Sequence, residues 1–197
     1  MKETRKAYNR RSKSPIFHKV FKGRGIDIGC GNNPLDKNMW KDITELEKFD
    51  KKQGQGDAQY ITGLREKNKY DFVYSSHCLE HMIDPFAALK EWWQLVKKGG
   101  YLIFAVPDED LYEEGVFPSR YNPDHKHTFT IFKWNSWSSK SIDIFKLLLS
   151  LDDCKILKIE LVDTDYDYNL NGVDQSRGKA EMAIEVILLK RGKENNV

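Results

Sequence analysis

The stretch "GIDIGCGNNP", residues 25–34, decides the fold. An apolar run carrying one acid, Asp27, meets Gly29 and Gly31, then two asparagines and Pro34. Gly25–Gly29 reads as a short strand that ends in glycine. Glycine there lets the backbone turn sharply and lets a ligand lie against it, with no Cβ in the way. Dinucleotide sites use the same device, but their third glycine is missing here. A carboxylate inside the strand suits a cationic ligand group and opposes a pyrophosphate.

Working outward, Leu46–Phe49 reads as a second strand that ends before Asp50. Gln59–Ile61 reads as a brief third and Asp71–Ser75 as a clear fourth. Asp84 is placed as an N-cap with Pro85 at the first helical position. Phe86, Leu89, Trp93 and Val96 follow on one helical face. Lys97 and Lys98 fall in the last turn, and Gly99-Gly100 are the stop signal. Tyr101–Val106 is continuously apolar, as in a strand buried on both faces. A helical pattern returns near Ile142–Leu151. Lys155–Val162 and Met182–Lys190 read as two last strands around a polar loop, paired antiparallel. This alternation predicts an α/β fold: a doubly wound, mostly parallel, seven-stranded Rossmann-like sheet with a C-terminal antiparallel hairpin and helices on both faces.

The 197 residues are 40% hydrophobic and 12% aromatic, enough for one domain with a sizeable core. The expected division is a basic N-terminal arm, 1–23, and a single domain, 24–197. No apolar run approaches the ~20 residues of a membrane span, and no apolar segment follows the first basic residues as in a secretory signal. Cys30, Cys78 and Cys154 are odd in number and far apart, forming neither a disulfide framework nor a zinc pattern. A cytoplasmic location is the simplest expectation. Residues 1–24 hold nine Lys/Arg and one acid, against 23 basic and 29 acidic residues in the remainder. Such an arm suits an anionic partner, nucleic acid included, or is a solubilising tail.

Ligands of a doubly wound sheet bind beyond the carboxyl ends of its strands. Asp50, at the second strand's tip, can accept both hydrogen bonds of a ribose diol, unless it is a solvated loop aspartate. Asp57 can accept from an exocyclic amine of adenine. Ser75-Ser76-His77-Cys78-Leu79-Glu80-His81 follow the fourth strand, and Pro107 and Asp108 follow the fifth.

Taken together, IDIGCGNNP (26–34), Asp50, GDA (56–58), YDFVYSSHCLEHMIDP (70–85) and LVKKGGYLIFAVPD (95–108) resemble a class I S-adenosylmethionine-dependent methyltransferase of the small methyltransferase-domain type. The resemblance covers residues 24–108; residues 109–197 match only in layout. It implies that Asp27, Gly29, Cys30 and Gly31 cradle the amino-acid end of S-adenosylmethionine. It implies that Asp50 holds the ribose, that Asp57 and Ala58 flank the adenine, and that Ser75, Ser76 and His77 lie near the methionine portion. The segment Asn33 to Glu45 is short and carries Pro34, so the first helix should be abbreviated. That leaves Asp42 and Glu47 as alternatives to Asp50.

Methyl transfer asks for alignment and exclusion of water more than for covalent help. A base matters only for a weakly acidic hydroxyl or a protonated amine. His77 and His127 are the candidate bases, and His81 reads as a buried or hydrogen-bonded residue. Arg120, Tyr121 and His125 are candidate substrate residues in the loop 119–130, with Arg120 for an anion; a purely structural loop is the other reading. Asp124, His125 and His127 can suggest a metal, but His-Lys-His has no other ligand cluster beside it, and none is expected. The loop 163–179 is too long for a tight turn and reads as a cover or partner surface. The expected acceptor is a small polar molecule, a sugar or phosphorylated metabolite, methylated on oxygen. Nucleic acid or protein as acceptor, and a cofactor-binding module without catalysis, are the alternatives. Oligomeric state is not legible.

Overall fold

The computed structural model describes residues 3–192. Its centre is a six-stranded sheet of β1 (Gly23–Ile28), β2 (Ile43–Phe49), β3 (Tyr70–Ser76), β4 (Val96–Pro107), β7 (Cys154–Val162) and β8 (Ala183–Lys190). The spatial order is β2-β1-β3-β4-β8-β7, and β5 (Thr128–Thr130) pairs with β6 (Ser141–Asp143) in a separate two-stranded sheet. The first four strands are parallel. β8 runs antiparallel to both β4 and β7, which gives the expected terminal hairpin.

Side chains alternate across the pleat and feed two cores. On one face Ile26, Val73, Phe104 and Val186 pack with Leu89, Trp92 and Leu95 of α3 (Pro85–Leu95) and with Leu147 of α4 (Ile144–Leu148). On the other, Phe72, Tyr74, Ile103 and Ile187 pack with Phe17, Val20 and Phe21 from α2 (Pro15–Val20) and just beyond, and with Trp40. Helices therefore cover both faces, as a doubly wound sheet requires. No helix among the described residues is long and apolar enough to cross a membrane.

Three local expectations are corrected. Gln59–Ile61 is not a strand but part of a 3-10 helix, Ala58–Gly63. Asp57 caps it by accepting from the Gln59 N–H, and the Gln59 amide oxygen accepts from the Ile83 and Asp84 N–H groups. This accounts for six strands in the main sheet where seven were counted. The helix begins at Pro85 with Asp84 capping Ala87, as expected, but it ends at Leu95. Val96 already pairs with Tyr70 of β3, so Lys97 and Lys98 belong to β4, and Lys97 pairs with Asp71. The pattern at 142–151 splits: Ile142 and Asp143 lie in β6, and Asp143 caps the short α4 by accepting from the Lys146 N–H.

From Glu3 onward the basic N-terminal arm is packed against the sheet rather than extended from it as a solubilising tail. α1 (Glu3–Arg11) and α2 lie against the sheet. The Lys6 ammonium donates to the Ser176 and Ala180 carbonyls. Arg10, Arg11 and Lys158 converge on Glu185 of β8 at 2.8, 2.6 and 2.9 Å, and Arg11 also donates to the Tyr74 hydroxyl at 2.7 Å.

Candidate functional site

The chain leaves β1 through two left-handed glycines, Gly29 (φ 72°) and Gly31 (φ 48°). At Gly29 a side chain is also sterically barred, because a Cβ would stand 2.3 Å from the Cys78 sulfur. The Gly31 N–H donates to Asp50 Oδ2 at 2.9 Å, and the Lys52 N–H donates to Oδ1 at 2.8 Å. Asp50 thus sits directly after β2 and ties its tip to the glycine turn. The stretch between the glycines and β2 carries no helix at all, where an abbreviated one was expected. The alternative Glu47 is occupied elsewhere, accepting from Tyr70 and Arg65. Asp57 accepts from Lys51 at 2.8 Å and from Gln59, and that contact with Lys51 holds its carboxyl below the usual range.

A cleft of about 690 Å³ opens over these tips, lined by Gly29, Gly31, Asp50, Asp57, Ala58 and His77 among others. A smaller recess of about 280 Å³ leads from the glycines to Asp27, Cys30 and Ser76. A third space of about 200 Å³ runs from His77 to Glu80, His81 and His125. His77 borders all three. A larger cavity, about 770 Å³, lies between α1 and residues 32–40, but Gly29, Gly31, Asp50 and His77 do not line it.

Asp27 is 1% exposed and accepts one hydrogen bond, from the Leu35 N–H at 2.6 Å. It has no ion-pair partner among the described residues. Burial pushes its carboxyl up to about 7. A positive group entering the recess would hold it ionised. The recess therefore suits a cationic ligand end, while the bare Gly31 backbone, with open space beside it, suits close approach. Burial also pushes the Cys30 thiol up to about 11, which keeps it protonated. Ser75 is a clasp, its hydroxyl donating to the Ile28 carbonyl at 2.9 Å inside the sheet, and only Ser76 reaches a cavity wall.

His77 has left-handed backbone (φ 53°), unusual for a residue with a side chain. Its N–H donates to the Ala105 carbonyl, so the β3–β4 ladder fixes it, and its Nδ1 lies 3.1 Å from the Ser76 hydroxyl. Burial pushes the imidazole down to about 3, so it is neutral near pH 7.

The loop 119–130 divides its residues differently from the sequence expectation. The Lys126 N–H donates to the Glu80 carbonyl and drapes the loop over the β3 tip. His125 is thereby buried beside His81, ring centres 5.1 Å apart. His127 faces the Ile83 carbonyl at 3.2 Å and lines none of the three spaces described. Arg120 and Tyr121 gather at Glu114, which also accepts from the Gly172 N–H and so anchors the loop 163–179. Lys126, with Lys51 and Lys52, is the cation at the cleft.

Sequence reasoning singled out neither Glu80 nor Glu113. Glu80 follows β3 in the 3-10 turn Leu79–His81, and Glu113 ends the π-helical turn Glu109–Glu113 after β4. Both are buried among the tips. The available signal was an acid inside the apolar context CLEHM (78–82).

A family model described as "Methyltransferase domain" matches residues 1–142. A ubiquinone biosynthesis O-methyltransferase of Shewanella pealeana is 25% identical over 122 residues, 52% of this chain and 52% of that protein. The chain thus spans about half the length of the curated relative it matches. An S-adenosylmethionine-dependent methyltransferase from Clostridium acetobutylicum superposes with a TM-score of 0.60 at 14% identity, covering 97% of this chain and 93% of that one. One from Archaeoglobus fulgidus gives 0.52 at 16% identity, covering 94% of each.

Proposed function

Because the chain belongs to the family defined by this methyltransferase domain, we propose that it methylates an oxygen of a small polar acceptor, with S-adenosylmethionine as cofactor. The observation that carries the reading is the joined pair of strand tips: the Gly29–Gly31 turn hydrogen-bonded to Asp50, with the buried Asp27 beneath, which accepts from the Leu35 N–H and has no ion-pair partner among the described residues. When bound, the cofactor supplies a methyl group on an electrophilic sulfonium carbon. Asp27 meets its cationic amino-acid end, Asp50 its ribose, and Asp57 with Ala58 its adenine.

The protein's task is alignment, which is worth ~7–11 kcal/mol when reacting atoms are held in line. His77, bordering all three spaces, is the side chain that orients the acceptor. Its depressed basicity makes it a hydrogen-bond acceptor rather than the final holder of a proton, since an efficient base titrates near the working pH. His127 is set aside from this role by its place at Ile83. The anion-binding role expected of Arg120, which lies at Glu114, passes to Lys126 on the cleft wall, which favours an anionic acceptor. The curated relative is by its name an O-methyltransferase, which supports oxygen over nitrogen. The burial of α1 cations on Glu185 weighs against the N-terminus as a docking strip for nucleic acid.

Calorimetry with S-adenosylhomocysteine, then transfer of labelled methyl to a panel of hydroxylated small anions, tests the reading. Binding together with label in a small acceptor is expected. Absence of binding overturns the cofactor site. Label entering only RNA or protein, with a salt-sensitive gel shift, overturns the acceptor class, and binding without turnover on any acceptor leaves a binding module.

A further inference from the structure

Beside the cleft, three side chains from two loops aim their donor atoms at one point. Glu80 is fully buried, and neither of its carboxylate oxygens has a hydrogen-bond partner among the described residues. His81 Nδ1 lies 3.1 Å from the Asp124 carbonyl oxygen, to which it donates. His125 Nδ1 lies 2.7 Å from Glu113 Oε1, a buried carboxylate oxygen to which it donates. Each ring's second nitrogen is therefore left with a free lone pair. Both of those Nε2 atoms stand 3.9 Å from the same Glu80 oxygen. One ligand atom from each residue lies within 4.8 Å of the others.

We propose that Glu80, His81 and His125 bind one divalent first-row cation of the zinc, manganese or cobalt type. The 3.9 Å separations are too long for hydrogen bonds, so protonated histidines would still leave Glu80 unsatisfied. Donors ~2.1 Å from a shared ion stand ~3.4 Å apart in a tetrahedral arrangement, so each 3.9 Å gap to Glu80 closes with ~0.5 Å of movement, and the gap between the two histidine donors, within 4.8 Å, with no more than ~1.4 Å. Two imidazoles and one carboxylate suit these ions, whereas magnesium and calcium prefer all-oxygen sites. Glu113 and the Asp124 carbonyl fix the two tautomers from outside the ligand set, the usual second layer of a metal site. The two buried acids supply the charge that a dication balances. The adjoining space of about 200 Å³, shared with His77, Tyr112 and Asn122, leaves room for a further oxygen ligand. On the methyl-transfer reading, which this role rests on, that ligand is the acceptor's own hydroxyl.

The experiment uses the full chain after treatment with chelator. Thermal shift and calorimetry are run with ZnCl2, MnCl2, CoCl2 and MgCl2, and S-adenosylhomocysteine affinity is measured on the same samples. The expected result is stabilisation by at least one of zinc, manganese or cobalt, and not by magnesium. Glu80→Gln and His125→Asn should weaken cation binding by at least ~10-fold and Glu113→Gln by ~10–100-fold, with His18→Asn unchanged. Glu80→Gln keeps the shape of its site, so it decides the matter if His125→Asn fails to fold. No response to any of the three cations, an equal response to magnesium, or a response that survives Glu80→Gln overturns the site. If S-adenosylhomocysteine binds while the cations do nothing, the metal site falls and the methyl-transfer reading stands.

Discussion

Two glutamates in this protein are buried to the same depth, and they could hardly be treated more differently. Glu185, on the α1 side of the sheet, receives Arg10, Arg11 and Lys158. Burial alone would raise its carboxyl, but Arg11, Arg10 and Lys158 hold it well below the usual range. Glu80, past the tip of β3, has no hydrogen bond to either oxygen, and burial pushes it up to about 7. A buried charge is costly unless paired. Where the partners are present the residue is scaffold, and where they are missing the fold has left an opening for something else. Asp27 and Asp50 lie between these extremes, holding one and two backbone donors respectively.

The comparison can be broken most directly at Glu185. Glu185→Ala strands the buried Arg11 and should cost ~3–5 kcal/mol in a denaturant unfolding experiment. A loss under ~1 kcal/mol would show that this ion cluster is not scaffold. Asp50→Ala should leave the fold but weaken S-adenosylhomocysteine by ~1.5–3 kcal/mol in calorimetry, through lost hydrogen bonds to a charged acceptor. Unchanged affinity would remove Asp50 from the site. Asp27 offers a pH test. Its folded carboxyl titrates at about 7 against an ordinary 3.8, so the folded chain holds a proton that the unfolded chain has lost. Its stabilising contribution is complete below about pH 4 and falls as pH rises toward 7. Stability curves of wild type and Asp27→Asn should diverge over that window, with only the wild type losing this contribution. Parallel curves would mean that Asp27 is not held protonated. The smallest effect is expected at Glu80: in chelated protein Glu80→Gln should change stability by less than ~1 kcal/mol in either direction, since no partner is lost. A loss rivalling that of Glu185→Ala would show that Glu80 is scaffold as well.

The strand-tip turn on which the proposed cofactor site rests was legible because its parts are local. Glycines at 29 and 31 and an acid after the second strand carry their meaning in backbone geometry, and neighbouring sequence suffices to read them. The fold's outline was legible for the same reason, through apolar runs and the Asp84–Pro85 start of α3. Its misreadings came from competition at a distance. Gly99-Gly100 looked like a helix stop, but pairing of Val96 with Tyr70 drew the preceding lysines into β4. Gln59 sat in a strand-like run, yet its side chain is taken up by the backbone of Ile83 and Asp84. The loop 119–130, proposed as the acceptor side, was the least legible. Which of His125 and His127 turns inward depends on the Lys126 hydrogen bond to Glu80, a contact across forty-odd residues of chain that no local pattern records. Glu113 joins them from a third segment, so the cluster exists only once three tips meet.

The pairing of Arg11 with Glu185 also bears on how the molecule is made. These two residues are 174 positions apart, so an early helix must wait for a late strand. During synthesis α1 emerges long before this counter-charge: Tyr74 of β3 is available to Arg11 early, but the carboxylate arrives only with β8, between β4 and β7. Completion of the sheet and neutralisation of the buried Arg11 thus coincide, and a chain cut short of β8 would leave that guanidinium without its carboxylate and the flank of β4 uncovered.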